Sequence, residues 1–369
     1  MERIAIVYNN EQGLAIAGLL QKGGFIPICC DRSIKGNLHV GHKLSIKDPV
    51  FVSTIGDALG QTGTVLTVFD NQQDDEDAYM AEGGILEVAE AGSLFVDLST
   101  IGPRSAKDLN ALAAVHDHDY VEANIIGAVK PNAKARHRLF VAGEDGSIKK
   151  AQPIIDVLSN DTIVTGLPGT ANAVRLASTI SLAGSLIGLT ESLAFASSNG
   201  VEKSLMLSLL ADSKSPVKGI AGNYGEQIIN ESFDSDIDVG AFLDELNLAL
   251  DAAEEAKLPL PALETYQQLF DLLQLIGDDR RGITSIALAY YDEKNSKRFN
   301  LDWSLAEKAV DVYEKGSDDD LDEDEQDPQD EWFEDDNSFD QYGYGQFGFD
   351  PDPEGDGLGP STSSYFSDN

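Results

Sequence analysis

The chain of 369 residues is short of the residues that advertise special chemistry. It has two cysteines, three methionines, two tryptophans and five histidines. Cys29 and Cys30 are neighbours; adjacent positions are poor geometry for a stabilising disulfide, and two thiols are too few for a structural zinc site. Buried thiols at a strand end are the expectation. His39, His42, His116 and His118 sit in polar stretches without Cys or carboxylate at a metal-ligand spacing, so solvated histidines and no metal site are expected. Ser99 has no evident partner His, which argues against acyl transfer.

Positive charge is scarce as well. Lys and Arg number 26 against 64 Asp and Glu, for a formal charge of −38. From Gly316 to Asn369 there are 19 acidic residues and no Lys or Arg, which is half of that charge. Both parts repel phosphate backbones, so nucleic acid is not an expected partner. The start, Met1-Glu-Arg-Ile-Ala-Ile-Val-Tyr8, lacks a basic segment followed by a long apolar one and does not look like a secretory signal. A cytoplasmic protein is expected. Only Leu176 to Ala196, with Glu191 as its sole ionisable residue, approaches the roughly 20 residues that span a bilayer. Six Ser and Thr interrupt it, no basic cluster flanks it, and its small residues suit close helix packing. It reads as a buried helix, with no membrane partner.

What is present is an alternation. Arg3 to Tyr8 is a near-continuous apolar run of the kind a strand buried on both faces requires, Glu11 to Lys22 is helix-like, Gly23-Gly24 ends it, and Phe25 to Cys30 resumes a strand. Further strand-like runs fall at Thr64–Phe69, Leu94–Asp97, Tyr120–Ala123, Arg138–Ala142 and Thr162–Thr165, with helix-like patterns between most of them. The pattern predicts an α/β chain: a doubly wound, Rossmann-type sheet whose dinucleotide crevice gathers at Tyr8–Gly13, Asp31–Ser33, Phe69–Gln72 and Ser99–Pro103.

Beyond Gly166 the periodicity becomes helical. Runs at 201–213, 217–230, 240–256, 261–276, 284–292 and 301–314 predict an all-α domain, and Phe242, Leu243, Leu246, Leu250 and Ala253 share one helix face. The expected division is a dinucleotide-binding domain at 1–166, an all-helical domain at 167–315 that opens with the interdomain helix, and a disordered acidic tail at 316–369. Trp332, Phe333, Phe339, Tyr342 and other aromatics interleave with the tail's acids. A solubilising tail and a docking segment for a basic protein partner both fit that composition.

At this point residues 3 to 292 resemble the β-hydroxyacid dehydrogenases, the group of 3-hydroxyisobutyrate dehydrogenase and 6-phosphogluconate dehydrogenase. Val96-Asp-Leu-Ser-Thr-Ile-Gly-Pro103 resembles the family's Asp-x-Ser-Thr-x-x-Pro loop beside the nicotinamide, and Glu122-Ala-Asn-Ile-Ile-Gly-Ala128 its substrate loop. The family's Gly-x-Gly-x-x-Gly appears as Tyr8-Asn-Asn-Glu-Gln-Gly13, keeping only the third glycine. Asp31-Arg32-Ser33 resembles the family's Asn-Arg-Thr; Arg32 suits the 2′-phosphate of NADP, and Asp31 the ribose hydroxyls of NAD. NADP is the expected cofactor, with NAD possible.

The family's proton-donating Lys and substrate-orienting Asn correspond to Arg175 and Thr179, its substrate-loop Ser to Ile126, and the Lys-Asp pair of a later helix to Asp244-Glu245. Arg stays protonated far above neutral pH, so Arg175 reads as an anion clamp in the catalytic position. The resemblance implies Gly13, Asp31, Arg32, Ser33, Phe69 and Thr100 on the cofactor, and Ser99, Gly127, Ala128 and Thr179 on a small anionic substrate. It also implies a homodimer. Lys130, Lys134, Arg136, His137 and Arg138 form a basic cluster directly after the substrate loop. Two functions follow: an NAD(P)-dependent oxidoreductase of β-hydroxyacid dehydrogenase type with a non-standard site, or a catalytically inactive homologue that binds partners through its tail.

Overall fold

The computed structural model describes residues 2–33, 50–125, 138–234, 237–277, 280–290, 297–306 and 308. The expected acidic tail, Gly127, Ala128, Ile126, His39, His42 and the basic residues from Lys130 to His137 lie outside them. Met1–Gly316 makes one compact unit that holds both the sheet and the helices.

Eight strands form one sheet: β1 (Arg3–Tyr8), β2 (Ile26–Asp31), β3 (Val50–Val52), β4 (Thr64–Val68), β5 (Leu94–Asp97), β6 (Asp119–Ile125), β7 (Arg138–Gly143) and β8 (Asp161–Gly166). Their order is β3-β2-β1-β4-β5-β6-β7-β8. The order reverses beside β1, which is where an open parallel sheet leaves a crevice at its carboxyl edge. All neighbours run parallel except β6 and β7, which pair antiparallel. These two are consecutive in the chain, and strands joined without a crossover must run back on each other.

Alternation along the strands explains the layers. Ile4, Ile6, Tyr8, Cys29, Leu66 and Val68 face α1 (Glu11–Lys22) and α6 (Asp145–Leu158). Ala5, Val7, Ile28, Cys30, Val65 and Phe95 face the other side. That side is covered by α2 (Ile55–Leu59), α3 (Gln72–Met80), α4 (Ile85–Val88) and α5 (Pro103–Val115). Cys29 and Cys30 therefore point to opposite faces; both are free and buried, and burial pushes their thiols up to about 12 and about 11. His118 departs from the expectation of a solvated histidine: it is buried, with its ring 4.8 Å from that of Phe95.

The helical part begins with α7 (Thr170–Ser198), followed by α8 (Lys203–Leu210), α9 (Lys218–Ile229), α10 (Val239–Glu255), α11 (Pro261–Leu275) and a 3-10 segment at Ile283–Tyr290. By length and composition α7 could cross a membrane. In the fold Leu176, Ala183, Leu186, Ile187 and Leu193 instead pack with Phe242, Leu243 and Leu246 of α10 and Phe270 of α11 in the helical core.

Sheet and helices are joined by one buried carboxylate. Glu122 on β6 accepts the backbone N–H of Gly169, the N–H of Asn172 (3.1 Å) and the Asn172 amide (2.9 Å) at the start of α7. A negative charge there satisfies open helix donors and complements the helix dipole. Asn172 Oδ1 in turn accepts Ile101 N–H (3.1 Å), tying the loop after β5 to the same point. Replacing Glu122 by Ala strips three donors of their acceptor, so an urea unfolding series should show a loss of about 3 kcal/mol or more. A loss below about 1 kcal/mol would remove Glu122 from this role.

Candidate active site

The crevice of the sheet and the start of the helical part enclose a cavity of ≈ 290 Å³, whose walls include Asn10, Phe69, Asp70, Thr100, Arg175 and Asp244. Glu245 and Asp251 of α10 complete an acidic wall. Phe69, Thr100 and Arg175, expected on the cofactor and in the catalytic position, therefore meet here, together with the Asp244-Glu245 pair.

Arg175 lies on α7 one turn after Asn172. It is placed beside the carboxyl end of β6, where one guanidinium nitrogen donates to the Ile125 carbonyl and another to Glu245 Oε1. The Thr179 hydroxyl donates to Glu245 Oε2 at 2.5 Å and to the Arg175 carbonyl at 3.3 Å. The ion pair is largely withdrawn from solvent, at 19% and 14% side-chain exposure. This differs from a clamp open to anions: Glu245, which the family resemblance aligned with an Asp, supplies the carboxylate from inside the protein. Asp244, its neighbour, stands at the crevice wall with its carboxyl raised above the ordinary range by burial first, then by Asp238, Asp70 and Glu245.

Ser99, expected on the substrate side, is turned into the protein. It is 1% exposed, its hydroxyl donates to Asp75 Oδ1 (2.7 Å) and accepts Phe69 N–H (3.1 Å), and its backbone N–H donates to Asp97 Oδ1 (2.9 Å). Asn124 Nδ2 caps its carbonyl at 2.8 Å. With its polar atoms bonded inside, Ser99 holds the loop whose neighbours Leu98 and Thr100 line the cavity. The network behind it escaped the sequence reading: Thr67 donates to Asp97 Oδ1 (2.9 Å) and the Tyr120 hydroxyl to Asp97 Oδ2 (2.7 Å). Asp75 and Asp97 are buried together without a cation, so both carboxyls are raised, Asp75 most strongly, with burial the largest cause and Asp97 the next for Asp75.

The phosphate turn is likewise engaged with itself. Gly13 packs so closely that a Cβ would stand 2.4 Å from the Tyr8 Cβ, which fits the helix-packing role of a third glycine. Its N–H is capped by Asn10 Oδ1 (3.1 Å). Asp31 ends β2 and accepts Ser33 N–H (2.9 Å); the Arg32 N–H donates to the Tyr8 carbonyl (2.7 Å), leaving its side chain exposed; and the Ser33 hydroxyl is buried. Arg138, the described member of the basic cluster, is paired with Asp161 at 2.9 Å.

Two family models match in tandem. Residues 13–166 match the NAD binding domain of 6-phosphogluconate dehydrogenase, and residues 169–290 the NAD-binding domain of NADP-dependent 3-hydroxyisobutyrate dehydrogenase. An uncharacterised oxidoreductase of Bacillus subtilis is 24% identical over 65% of this chain and 83% of its own length. The 2-(hydroxymethyl)glutarate dehydrogenase of Eubacterium barkeri is 24% identical over 55% and 68%. Mycobacterium tuberculosis 3-hydroxyisobutyrate dehydrogenase, solved with L-serine, superposes with a TM-score of 0.67 at 18% identity, covering 79% of this chain and 100% of that one. The chain belongs to the β-hydroxyacid dehydrogenase family as a divergent member. By that membership it is an NAD(P)-dependent β-hydroxyacid dehydrogenase-like oxidoreductase, with a nicotinamide dinucleotide as cofactor.

This chain's residues meet such a cofactor unevenly. Arg32 after β2 and the Phe69–Thr100 wall suit its two ends. At the pyrophosphate turn between them Tyr8 and Asn10 stand where the family has glycines, and one N–H of the first helix turn, that of Gly13, is already capped by Asn10.

A buried carboxyl whose folded-state pKa is raised stabilises below the ordinary value of about 4 and costs stability as pH rises through the raised value. Asp75→Asn keeps the size without the charge. Its melting temperature relative to the parent should therefore climb as pH increases above about 4; a difference that is flat with pH would contradict the shared burial of Asp75 and Asp97.

Proposed function

We propose that the protein is an NAD(P)-dependent reductase or dehydrogenase for a small carbonyl or hydroxy compound, in which Arg175 is a fixed anchor and Asp244 exchanges the proton. The observation that carries this reading is the Arg175–Glu245 pair. A guanidinium remains charged, so it cannot pass a proton, and here its donors are turned onto Glu245 and the Ile125 carbonyl. Asp244 stands in the same cavity with a carboxyl shifted toward neutrality, as a general acid requires. The dinucleotide carries the hydride chemistry. Arg32 supports NADP over NAD, because an exposed guanidinium after β2 suits a 2′-phosphate.

The substrate that this cavity suits is uncharged. Among the described residues the cavity wall has one cation, Arg175, and Glu245 already neutralises it. A catalytically inactive binding homologue is the second reading, favoured by the self-capped phosphate turn.

Fluorescence titration of the full chain with NADPH and NADH separates the two: submillimolar binding supports the enzyme, and no binding by folded protein supports the homologue. Turnover is then followed as NADPH absorbance over a panel of small uncharged aldehydes and ketones. Asp244→Asn should lower kcat about 100-fold with little change in KM. The parent's reduction rate should fall as pH rises through the Asp244 value, and the variant should lose that limb. An unchanged pH profile would take the proton role from Asp244.

A further inference from the structure

The two turns that bracket the crevice are bonded to each other across it. Asn10 Nδ2 donates to Asp70 Oδ1 at 2.6 Å, and Asn9 Nδ2 donates to Asp74 Oδ2 at 2.7 Å. Asn9 Oδ1 accepts the Asp70 backbone N–H at 3.1 Å, and Asn71 Nδ2 reinforces Asp74 at 3.0 Å. The turn after β1 is thus fastened to the turn after β4 by side chains on both partners. In an open α/β sheet this is the ground a dinucleotide pyrophosphate crosses, against the first helix N-terminus.

The charges work in the same direction as the bonds. The Asp70 carboxyl is raised by burial, lowered in part by the Asn10 bond, and raised again by the charges of Asp238 and Asp74, while Asp70 in turn helps to raise Asp244. A pyrophosphate brings further negative charge to this ring, where Arg175 is already spent on Glu245. Hydrogen bonds from Asn9 and Asn10 that could have met phosphate oxygens are held by carboxylates instead.

We propose that Asp70 and Asp74 set dinucleotide affinity by latching the turn after β1 to the turn after β4, so that the pyrophosphate enters only by displacing both asparagine–aspartate contacts. This rests on the dinucleotide reading above and adds residues outside the family's cofactor motif. No covalent step is involved; amide donors change partners from carboxylate to phosphate oxygen.

The test uses the full chain and ADP-ribose, which carries the pyrophosphate without the nicotinamide, in calorimetric titrations at low and high salt. The Asp70→Asn/Asp74→Asn double variant, close to isosteric, should bind ADP-ribose at least about tenfold more tightly than the parent. Salt should tighten binding to the parent by screening like charges, and this effect should shrink in the variant. Asp74→Asn alone loosens half of the latch, keeps both asparagine donors for the phosphate oxygens, and should gain about threefold. Thermal melts confirm that each variant is folded. Equal or weaker binding by the double variant, with the parent binding, overturns the latch and leaves the dinucleotide reading intact. If neither form binds ADP-ribose or NADPH, the dinucleotide reading falls and the latch falls with it.

Discussion

The fold turns on a negative charge held away from water at the start of α7. Burying Glu122 is costly, and burial is the largest influence raising its carboxyl, but the Gly169 and Asn172 backbone donors and the Asn172 amide all bind the charged form. A helix of 29 residues offers its positive end to that carboxylate. Because Asn172 also holds Ile101, one side chain sets the relation of β5, β6 and α7. Arg175, three residues along α7, inherits its position under the end of β6 from this junction, and from there its guanidinium reaches Glu245 on α10.

The crevice that results is unlike one built for anions. Its helical wall presents Asp244, Glu245 and Asp251, its sheet wall Asp70, and its one cation among the described residues is paired. Charge of one sign in a cleft raises the cost of bringing in more of it. Family membership and this electrostatic character pull against each other at the turn after β1, while Val96–Pro103 keeps the motif that resembles the family's loop. That loop is stiffened from behind by Ser99, Asp97, Thr67 and Tyr120, all buried. The backbone of Leu98 and Thr100 at the cavity wall is thus held by groups outside its lining.

Most of the sheet was legible in the sequence, because a strand buried on both faces leaves a continuous apolar run that few helices imitate. Arg3–Tyr8 and Glu11–Lys22 were readable to the residue. Val50–Val52 was not, since three residues carry no period, and the antiparallel step at β6–β7 was not, since an apolar run has no direction. The site was legible in position more than in partnership. Phe69, Thr100 and Arg175 do meet, but the motif around Ser99 located its backbone without showing that its hydroxyl turns inward to Asp75. Arg175 and Glu245 are 70 positions apart, and nothing local to either announces the other. Glu122 opens the segment that resembles the family's substrate loop, yet its role depends on Gly169 and Asn172, 47 and 50 residues later.

Arg175 is consumed within the protein, and a double-mutant cycle measures that directly. Urea unfolding of the parent, Arg175→Met, Glu245→Gln and the double variant should give a coupling of about 1–3 kcal/mol, with the double variant little worse than the poorer single. Costs that add to within about 0.5 kcal/mol would mean that the guanidinium does not depend on Glu245, and would return Arg175 to the cavity as a free cation.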